Sequence, residues 1–269
     1  PYEIENWYQL NATRENRLAN YVLVDDLTAE TAGYNAVASP KANSGHGFVP
    51  IGTARFGFEA TFDGQGHTIA NLTIDRPSEE RVGLFHTVPA GRYDDGTIVN
   101  LHLAAVDITG GTAVGGVAGF HGQAVATIAN VSVSGSIDGT NSVGCIAGKN
   151  GGSLEYAYAT ADINGSTAVG GLVGTNTGTV TRSYATGTVS GEAAIGGLVG
   201  RVVGSSAVVN RSYAAGAVTG KSRSGLVGQT EGAATVEDAY WDTERTTQTN
   251  SAGDATGLTT SNMTGETAL

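Results

Sequence analysis

Short runs in which small or aliphatic residues alternate with polar ones recur along the chain and predict half-buried β-strands. Because successive side chains of a strand point to opposite faces, one parity of each run faces inward. The inward positions, run by run, are Val131, Val133, Gly135 and Ile137, then Ala157, Ala159, Ala161 and Ile163, then Ser183, Ala185, Gly187 and Val189, then Ser212 and Ala214. Residues this small predict a narrow, close-packed core.

The alternating runs recur with a nearly constant period. The aliphatic residue that opens each run stands at Ile69, Ile98, Ile128, Leu154, Val180, Val209 and Val236, at spacings of 26 to 30 residues. A glycine motif keeps the same step, as GGVAG from 115, GCIAG from 144, GGLVG from 170 and 196, and SGLVG from 224. This period, with no helical pattern, predicts the coils of a parallel β-solenoid. The paired glycines are expected to supply positive φ angles or bends where a Cβ would clash.

Both ends of such a stack need covering, because an open edge strand pairs readily with another chain. Ile4, Trp7 and Leu10 lie at helical spacing and predict a short amphipathic capping helix. The stretches NYVLVDDL and FVPIGT are the predicted first strands, and the segment between them is a predicted irregular loop. We expect one solenoid domain over residues 1–269, with the cap and first strand at 1–47, repeat coils at 48–240, and an irregular final coil and tail at 241–269.

Composition narrows the class of protein. The 269 residues include 41 Gly but only 5 Pro, and 40% are hydrophobic, which excludes collagen and a disordered chain. The lone cysteine, Cys145, excludes an internal disulfide. A net charge of −11 argues against a nucleic-acid partner, and no apolar run is long enough for membrane insertion in this segment. Since the chain opens without Met or a signal peptide, we interpret it as a segment of a longer protein.

Candidate catalytic and metal-binding residues are scattered. Polysaccharide-active β-helices need clustered carboxylates or Ca²⁺ ligands beside a base. Four acidic residues of the later coils fall at different coil positions: Asp138, Glu155, Asp162 and Glu192. Asp63 and His67 in FDGQGHTI fit a tight turn between two strands, and the five His residues lack metal-ligand spacing. We therefore expect no catalytic residues, no metal and no cofactor.

One outward position of the coil is rich in aromatic residues. It is predicted to carry Thr73, His102, Ser132, Tyr158, Tyr184, Tyr213 and Tyr240, with Asn130, Tyr156, Arg182 and Arg211 two residues earlier. Two interpretations stay open: the rings stack on one another to stabilise the wall, or they form a docking face for glycan or protein. The candidate binding residues are Tyr156, Tyr158, Arg182, Tyr184, Arg211, Tyr213 and Tyr240.

Several stretches resemble the GLUG-motif repeats of large secreted or surface-anchored proteins. They are the GGLVG motifs followed by VTRSYATGTVSG, FDGQGHTIANLTI at 62–74, the opening PYEIENWYQL and the closing YWDTERTTQTNSAGDATGLTTSNM. The resemblance implies an adhesin-like right-handed β-helix with an extracellular or cell-surface location, and it carries no general catalytic residues. One departure is Arg223, which stands where other coils have Val114, Val143, Val169 or Ile195, so we expect the last full coil to be distorted or open.

Three functions follow in order of preference. The first is a non-enzymatic structural and adhesive module of a cell-surface or secreted protein, whose rigid face binds weakly and multivalently or spaces other domains. The second is a self-assembling subunit of an extracellular filament or sheath. The third is a polysaccharide-active enzyme of the β-helix type. The expected partner is a glycan or protein on a cell surface, or further copies of the chain.

Overall fold

The protein is a parallel β-solenoid of about six turns, as seen in a computed structural model that describes residues 1–89, 95–122 and 125–263. All pairings between its named strands in that part of the chain are parallel, and the coils form a large and a small sheet. The predicted fold class and the short N-terminal helix are confirmed.

The large sheet contains β1 (Tyr2–Ile4), β2 (Tyr21–Leu23), β3 (Thr61–Asp63), β4 (Thr68–Ala70), β5 (Thr73–Val82), β7 (Thr97–Val114), β9 (Thr127–Asp138), β10 (Asn141–Gly144), β12 (Ser153–Ala159), β13 (Asp162–Asn164), β14 (Thr167–Gly170), β16 (Thr179–Thr181), β17 (Tyr184–Ala185), β18 (Val189–Gly191), β19 (Ala193–Gly196), β21 (Val208–Asn210), β22 (Tyr213–Ala214), β23 (Val218–Gly220), β24 (Arg223–Ser224), β26 (Thr235–Glu237), β27 (Tyr240–Asp242) and β28 (Thr256–Leu258). The small sheet contains β6 (Phe85–Val88), β8 (Ala118–His121), β11 (Ala147–Asn150), β15 (Val173–Asn176), β20 (Val199–Val203) and β25 (Val227–Glu231). The helices are α1 (Trp7–Ala12), α2 (Tyr34–Val37), α3 (Ala42–Gly45), α4 (Thr243–Thr246) and α5 (Thr260–Met263).

The predicted period holds from Ile98 onward but is wrong in the first coil. Ile98, Ile128, Leu154, Val180, Val209 and Val236 form one column of paired residues. Their partner in the first coil is Phe62, whereas Ile69 pairs with Leu103. The turn between β3 and β4 lengthens the path from Phe62 to Ile69 relative to the path from Ile98 to Leu103. A hydrophobic residue of the neighbouring column was therefore mistaken for the anchor.

The inward positions of the later coils pack as predicted. Val131 pairs with Ala157, and Val133, Ala159, Ala185 and Ala214 follow one another in register, all of them buried. Ser183 and Ser212, the two polar residues predicted to face inward, are each 2% exposed. The alternation therefore identified the core face of these coils correctly.

The glycine motifs mark the bend between the two sheets. A Cβ on Gly170 would lie 2.2 Å from the Val173 carbonyl oxygen, and one on Gly171 would lie 2.2 Å from that of Gly197. Neither glycine has a positive φ; that conformation falls on Ala168, at 54°. Of the two expected alternatives, these glycines have the bend where a Cβ would clash and not the positive φ. Glycine is needed here because successive backbones approach too closely for any side chain.

The N-terminal coils have a wider, aromatic core under a helical cap. Trp7 and Leu10 of α1 are fully buried, and the Asn6 side chain caps the helix by accepting the Gln9 N–H. Ile4 lies on β1 rather than on the helix. Beneath them, the Phe85 ring lies 5.0 Å from Phe58 and 5.5 Å from Phe62 between centroids. Such rings fill a cross-section that alanines fill in later coils.

Two of the N-terminal segments differ from expectation. FVPIGT forms no named strand and contributes one isolated parallel bridge, from Ile51 to Phe85. The predicted loop before it contains two single-turn helices, α2 and α3, and the second is interrupted by Asn43 and Ser44 in left-handed conformation. A single turn of helix is too short to show the apolar periodicity that identifies longer helices.

The C-terminal end is closed by a tryptophan. Trp241 is 5% exposed, and its indole N–H donates to the Gln248 carbonyl at 3.0 Å. The Gln248 amide in turn donates to the Val218 carbonyl at 3.1 Å, which ties the segment back to the preceding coil. Arg223 pairs with Ile195 as expected, and its side chain is exposed. Arg223 thus stands in this coil where the other coils have an apolar residue. The segment around Trp241 covers this coil.

A buried ladder of polar side chains runs along the corner after the small sheet. His121, Asn150 and Asn176 are successive register partners. The Asn150 amide donates to Asn176 Oδ1 at 2.7 Å, and Asn150 Oδ1 lies 2.5 Å from His121 Nδ1. Each side chain thus supplies the hydrogen bond that its neighbour needs away from water.

This ladder predicts a pH dependence of stability. Burial lowers the pKa of His121 to about 4, and the hydrogen bond that His121 donates to Asn150 offsets this only in part. In the unfolded chain this histidine takes up a proton near pH 6.5, whereas in the folded chain it does so only near pH 4. The neutral histidine therefore contributes its full share of stability above pH 6.5, and this share is lost as the pH falls toward 4. We expect urea unfolding at pH 4.5 to show a loss of about 2 to 3 kcal/mol from this group alone.

The matched variant is His121→Asn, which continues the asparagine ladder without a titrating group. Its free energy of unfolding should fall less between pH 7.5 and 4.5 than that of the parent. If both proteins lose the same free energy over this interval, His121 does not carry the effect.

Candidate functional site

Four tyrosines form a column on the outer face of the large sheet. Tyr158, Tyr184, Tyr213 and Tyr240 are successive register partners. The rings of Tyr158 and Tyr184 are 5.1 Å apart at 30°, and those of Tyr184 and Tyr213 are 4.9 Å apart at 8°. The three rings stack, so this part of the column has the contacts of a structural ladder. We call these four residues the tyrosine column.

A second column runs beside the first and has an unusual backbone. It consists of Tyr156, Arg182, Arg211 and Asp238, and we call it the flanking column. All four residues have a left-handed conformation, with φ between 47° and 50°. This conformation costs an ordinary residue about 1 to 2 kcal/mol. The turn that it makes sets the flanking side chains against the tyrosine column.

Buried serines hold this turn together. Ser183 Oγ accepts the Ala157 N–H at 3.0 Å, and Ser212 Oγ accepts the Ser183 N–H at 3.1 Å. The same two hydroxyls donate to the Thr181 and Asn210 carbonyls. The left-handed residue before each serine interrupts the backbone hydrogen bonds between adjacent coils. The serine hydroxyl supplies a hydrogen bond in their place. The inward Ser of each RSYA sequence is therefore a structural part of the site.

A groove of about 670 Å³ lies between the two columns. All seven predicted binding residues line it, together with Ser183, Ser212 and Asp238. Asp238 was not among the predicted binding residues. It lies two residues before Tyr240, as Arg211 lies two residues before Tyr213, so the period of the coils places it in the flanking column. The serines were assigned to the core, and the structure places them at the floor of the groove.

The two guanidinium groups of the groove differ in their surroundings. Arg182 lies 5.5 Å from the centroid of the Tyr156 ring and 3.9 Å from a carboxylate oxygen of Glu155. Arg211 has no hydrogen bond, ion pair or ring contact within the described part of the chain. Burial, followed by the nearby Tyr184, raises the pKa of Tyr213. The groove therefore combines the raised pKa of the Tyr213 phenol with a guanidinium, that of Arg211, which has no partner among the described residues.

Toward the N-terminus the same outward position turns polar. His102 lies there with Ser132, 2.7 Å from Nδ1 to Oγ. The partner of His102 in the coil before is Thr68, while Thr73 pairs with Asp107, so the predicted place of Thr73 on this stripe is wrong. The extra residues of the 64–67 turn cause this shift as well.

Asp63 and His67 serve the turn between β3 and β4. Asp63 Oδ1 accepts the Gln65 N–H at 2.9 Å and the Asn100 amide at 3.0 Å. His67 Nδ1 lies 3.1 Å from Asp26 Oδ1. A hydrogen bond from the Thr68 backbone, more than His67, lowers the pKa of Asp26. The turn interpretation accounts for these contacts.

Within residues 1–89, 95–122 and 125–263, no three His, Cys, Asp or Glu side chains come together in a way that would hold a metal ion. In the same ranges no helix has the length and apolar character needed to cross a bilayer. Burial raises the pKa of the Cys145 thiol to about 12, so it is an inert core residue.

Comparison with known proteins finds a matching repeat motif, a sequence relative and a solved structure of similar fold. The family model of the GLUG motif matches residues 165–190, which include β14 to β17, the first two residues of β18 and the first full GGLVG. Halomucin of Haloquadratum walsbyi is 36% identical over 157 residues, 55% of this chain and 2% of halomucin. The resemblance to GLUG-motif repeats is thereby confirmed. The chain spans only a very small part of this relative.

A solved structure shares the architecture. It is a Bacteroides ovatus protein provisionally described as an immunoglobulin A1 protease, with a TM-score of 0.65 over 98% of this chain and 85% of that chain. The sequence identity is 17%, so the likeness is one of fold.

Proposed function

We propose that this chain is a structural and adhesive module of a secreted or cell-surface protein and acts without catalysis. The observation that carries the proposal is the groove between the tyrosine column and the flanking column. It is lined by five tyrosines, and its residues come from four successive coils. A surface of this kind favours many weak contacts along an extended partner over one deep pocket.

Two further observations support a module over an isolated enzyme. The GLUG motif and the halomucin likeness support a repeat segment within a much larger protein. The left-handed backbone of the flanking column is strained at the surface, where packing does not require Tyr or Arg. Asparagine would adopt this conformation at lower cost and stands there in an earlier coil, at Asn130.

The test is the triple change of Tyr158, Tyr184 and Tyr213 to Ser, the residue that position 132 already carries. Beads that display many copies of the protein would be passed over glycan arrays and cell surfaces. We expect retention to fall at least about tenfold, because the loss of several weak contacts multiplies through avidity. Circular dichroism and melting would establish that the variant is folded.

The matched control changes Phe120, Lys149 and Thr175 to Ser. These residues are register partners in three successive coils and lie on the outer side of the small sheet. This variant should adhere as the parent does. Equal adhesion of the parent and the tyrosine variant would show that the column is only a structural ladder.

A further inference from the structure

At one end of the groove, some side chains are not engaged by neighbouring side chains. Tyr184 is covered on both faces by its neighbours, Tyr158 and Tyr213. Tyr213 and Tyr240 are register partners but form no ring contact, so the stack ends at Tyr213. Both rings line the groove.

The free cation lies at this same end. Arg211 and Asp238 occupy successive coils of the flanking column and line the groove beside Tyr213 and Tyr240. No ion pair joins Arg211 to Asp238, although both are exposed in neighbouring coils. At the other end of the stack Tyr158 has a ring contact with Tyr184, and the guanidinium of Arg182 in that part of the groove is engaged by Tyr156 and Glu155.

We propose that Arg211, Tyr213, Asp238 and Tyr240 form a subsite for a uronic acid, a pyranose that carries one carboxylate, within a glycan chain. The inference rests on the proposed adhesive function and names its ligand class. The glycan lies along the groove, and the uronic acid enters it at the end of the tyrosine stack.

Each group has a chemical counterpart in such a sugar. The planar guanidinium of Arg211 binds a carboxylate through two parallel hydrogen bonds. The open face of Tyr213 packs against the C–H face of the pyranose, and Asp238 accepts hydrogen bonds from ring hydroxyls. Asp238 and the net charge of −11 also repel polysulfated glycans, whose charge density is higher.

The test compares two arginines in equivalent positions of successive coils. Binding of oligogalacturonate to the intact chain would be followed by calorimetry and by NMR line broadening of the oligosaccharide. Arg211→Gln should weaken binding about tenfold, the usual effect of losing a charge-assisted hydrogen bond. Arg182→Gln should weaken binding less than Arg211→Gln does, because the Arg182 guanidinium already contacts Tyr156 and Glu155.

The ring face is tested by a second pair, in which Tyr213→Leu should weaken binding more than Tyr158→Leu does, because the subsite lies at the Tyr213 end of the stack. Neutral galactose oligomers and dextran sulfate serve as ligand controls, and both should bind at least about tenfold more weakly than oligogalacturonate.

Equal losses for the two arginine variants, or preference for either control ligand, overturn the subsite. If the parent adheres through its tyrosines but binds no oligogalacturonate, the subsite fails while the adhesive function stands. If the triple tyrosine variant still adheres, the adhesive function itself fails.

Discussion

Replacing Ala185 with Phe should lower the free energy of unfolding by about 3 kcal/mol or more. Ala185 is fully buried, and the opposing wall approaches so closely that a Cβ on Gly171 would lie 2.7 Å from the Ala185 Cβ. The coils above and below contribute Ala159 and Ala214, whose methyl groups have no rotamers to change, so the core has little freedom to yield. Urea denaturation followed by circular dichroism would measure the loss.

The control is Tyr184→Phe, one residue earlier on the same strand, which keeps the stacked ring on the outer face. Its effect should stay within about 0.5 kcal/mol. A melting temperature unchanged by Ala185→Phe would mean that the inward and outward faces of β17 have been interchanged.

Replacing Trp241 with Ala should cost about 3 to 5 kcal/mol, the range for loss of a buried tryptophan. The indole packs against the backbone of the last coil, where a Cβ on Gly225 would lie 2.1 Å from an indole carbon. Its removal leaves a cavity at the end of the core and unties Gln248 from the indole N–H. We expect faster hydrogen exchange at Val227 and earlier proteolysis after Ser224, with the N-terminal coils still protected.

Tyr240→Ala provides the comparison, since this neighbour lies on the same strand but faces the groove. It should cost no more than about 1 kcal/mol and should leave the exchange of Val227 unchanged. Equal destabilisation by the two variants would show that Trp241 does not close the core.

The period and the parity of the later coils were predictable because a single register shift, between Leu103 and Val106, is the interruption recorded between their paired strands in the described residues. From Ile98 to Val236 each coil repeats the same order of strand, bend and strand, so a single alignment assigns every face. The first coil was misread because Phe62 and Ile69 are both apolar, and only pairing in three dimensions shows which one lies beneath Ile98. The tryptophan closure was hidden for a different reason, since its contacts depend on tertiary folding of a segment without periodicity.

The composition of the groove was predictable, but its shape was not. Side-chain identity and spacing placed the tyrosines and arginines on one face. The left-handed backbone at Arg182 and Arg211 has no sequence signal, because such a conformation is expected of Gly or Asn. The stacking of the rings against one another also changes what they offer, because the face of Tyr184 is covered and the open surface shifts to Tyr213.

The taper of the core from aromatic to alanine-lined coils gives the molecule a mechanical direction. Coils packed around Phe58, Phe62 and Phe85 bury more apolar surface against their neighbours than coils built on Ala159 and Ala185. The stability of such a stack is approximately a sum of the interactions between adjacent coils. Folding therefore starts most readily at the wide end and propagates toward the narrow one. A pulling force reverses that order: once the Trp241 closure gives way, coils peel off one at a time, and the wide base is the last part to yield.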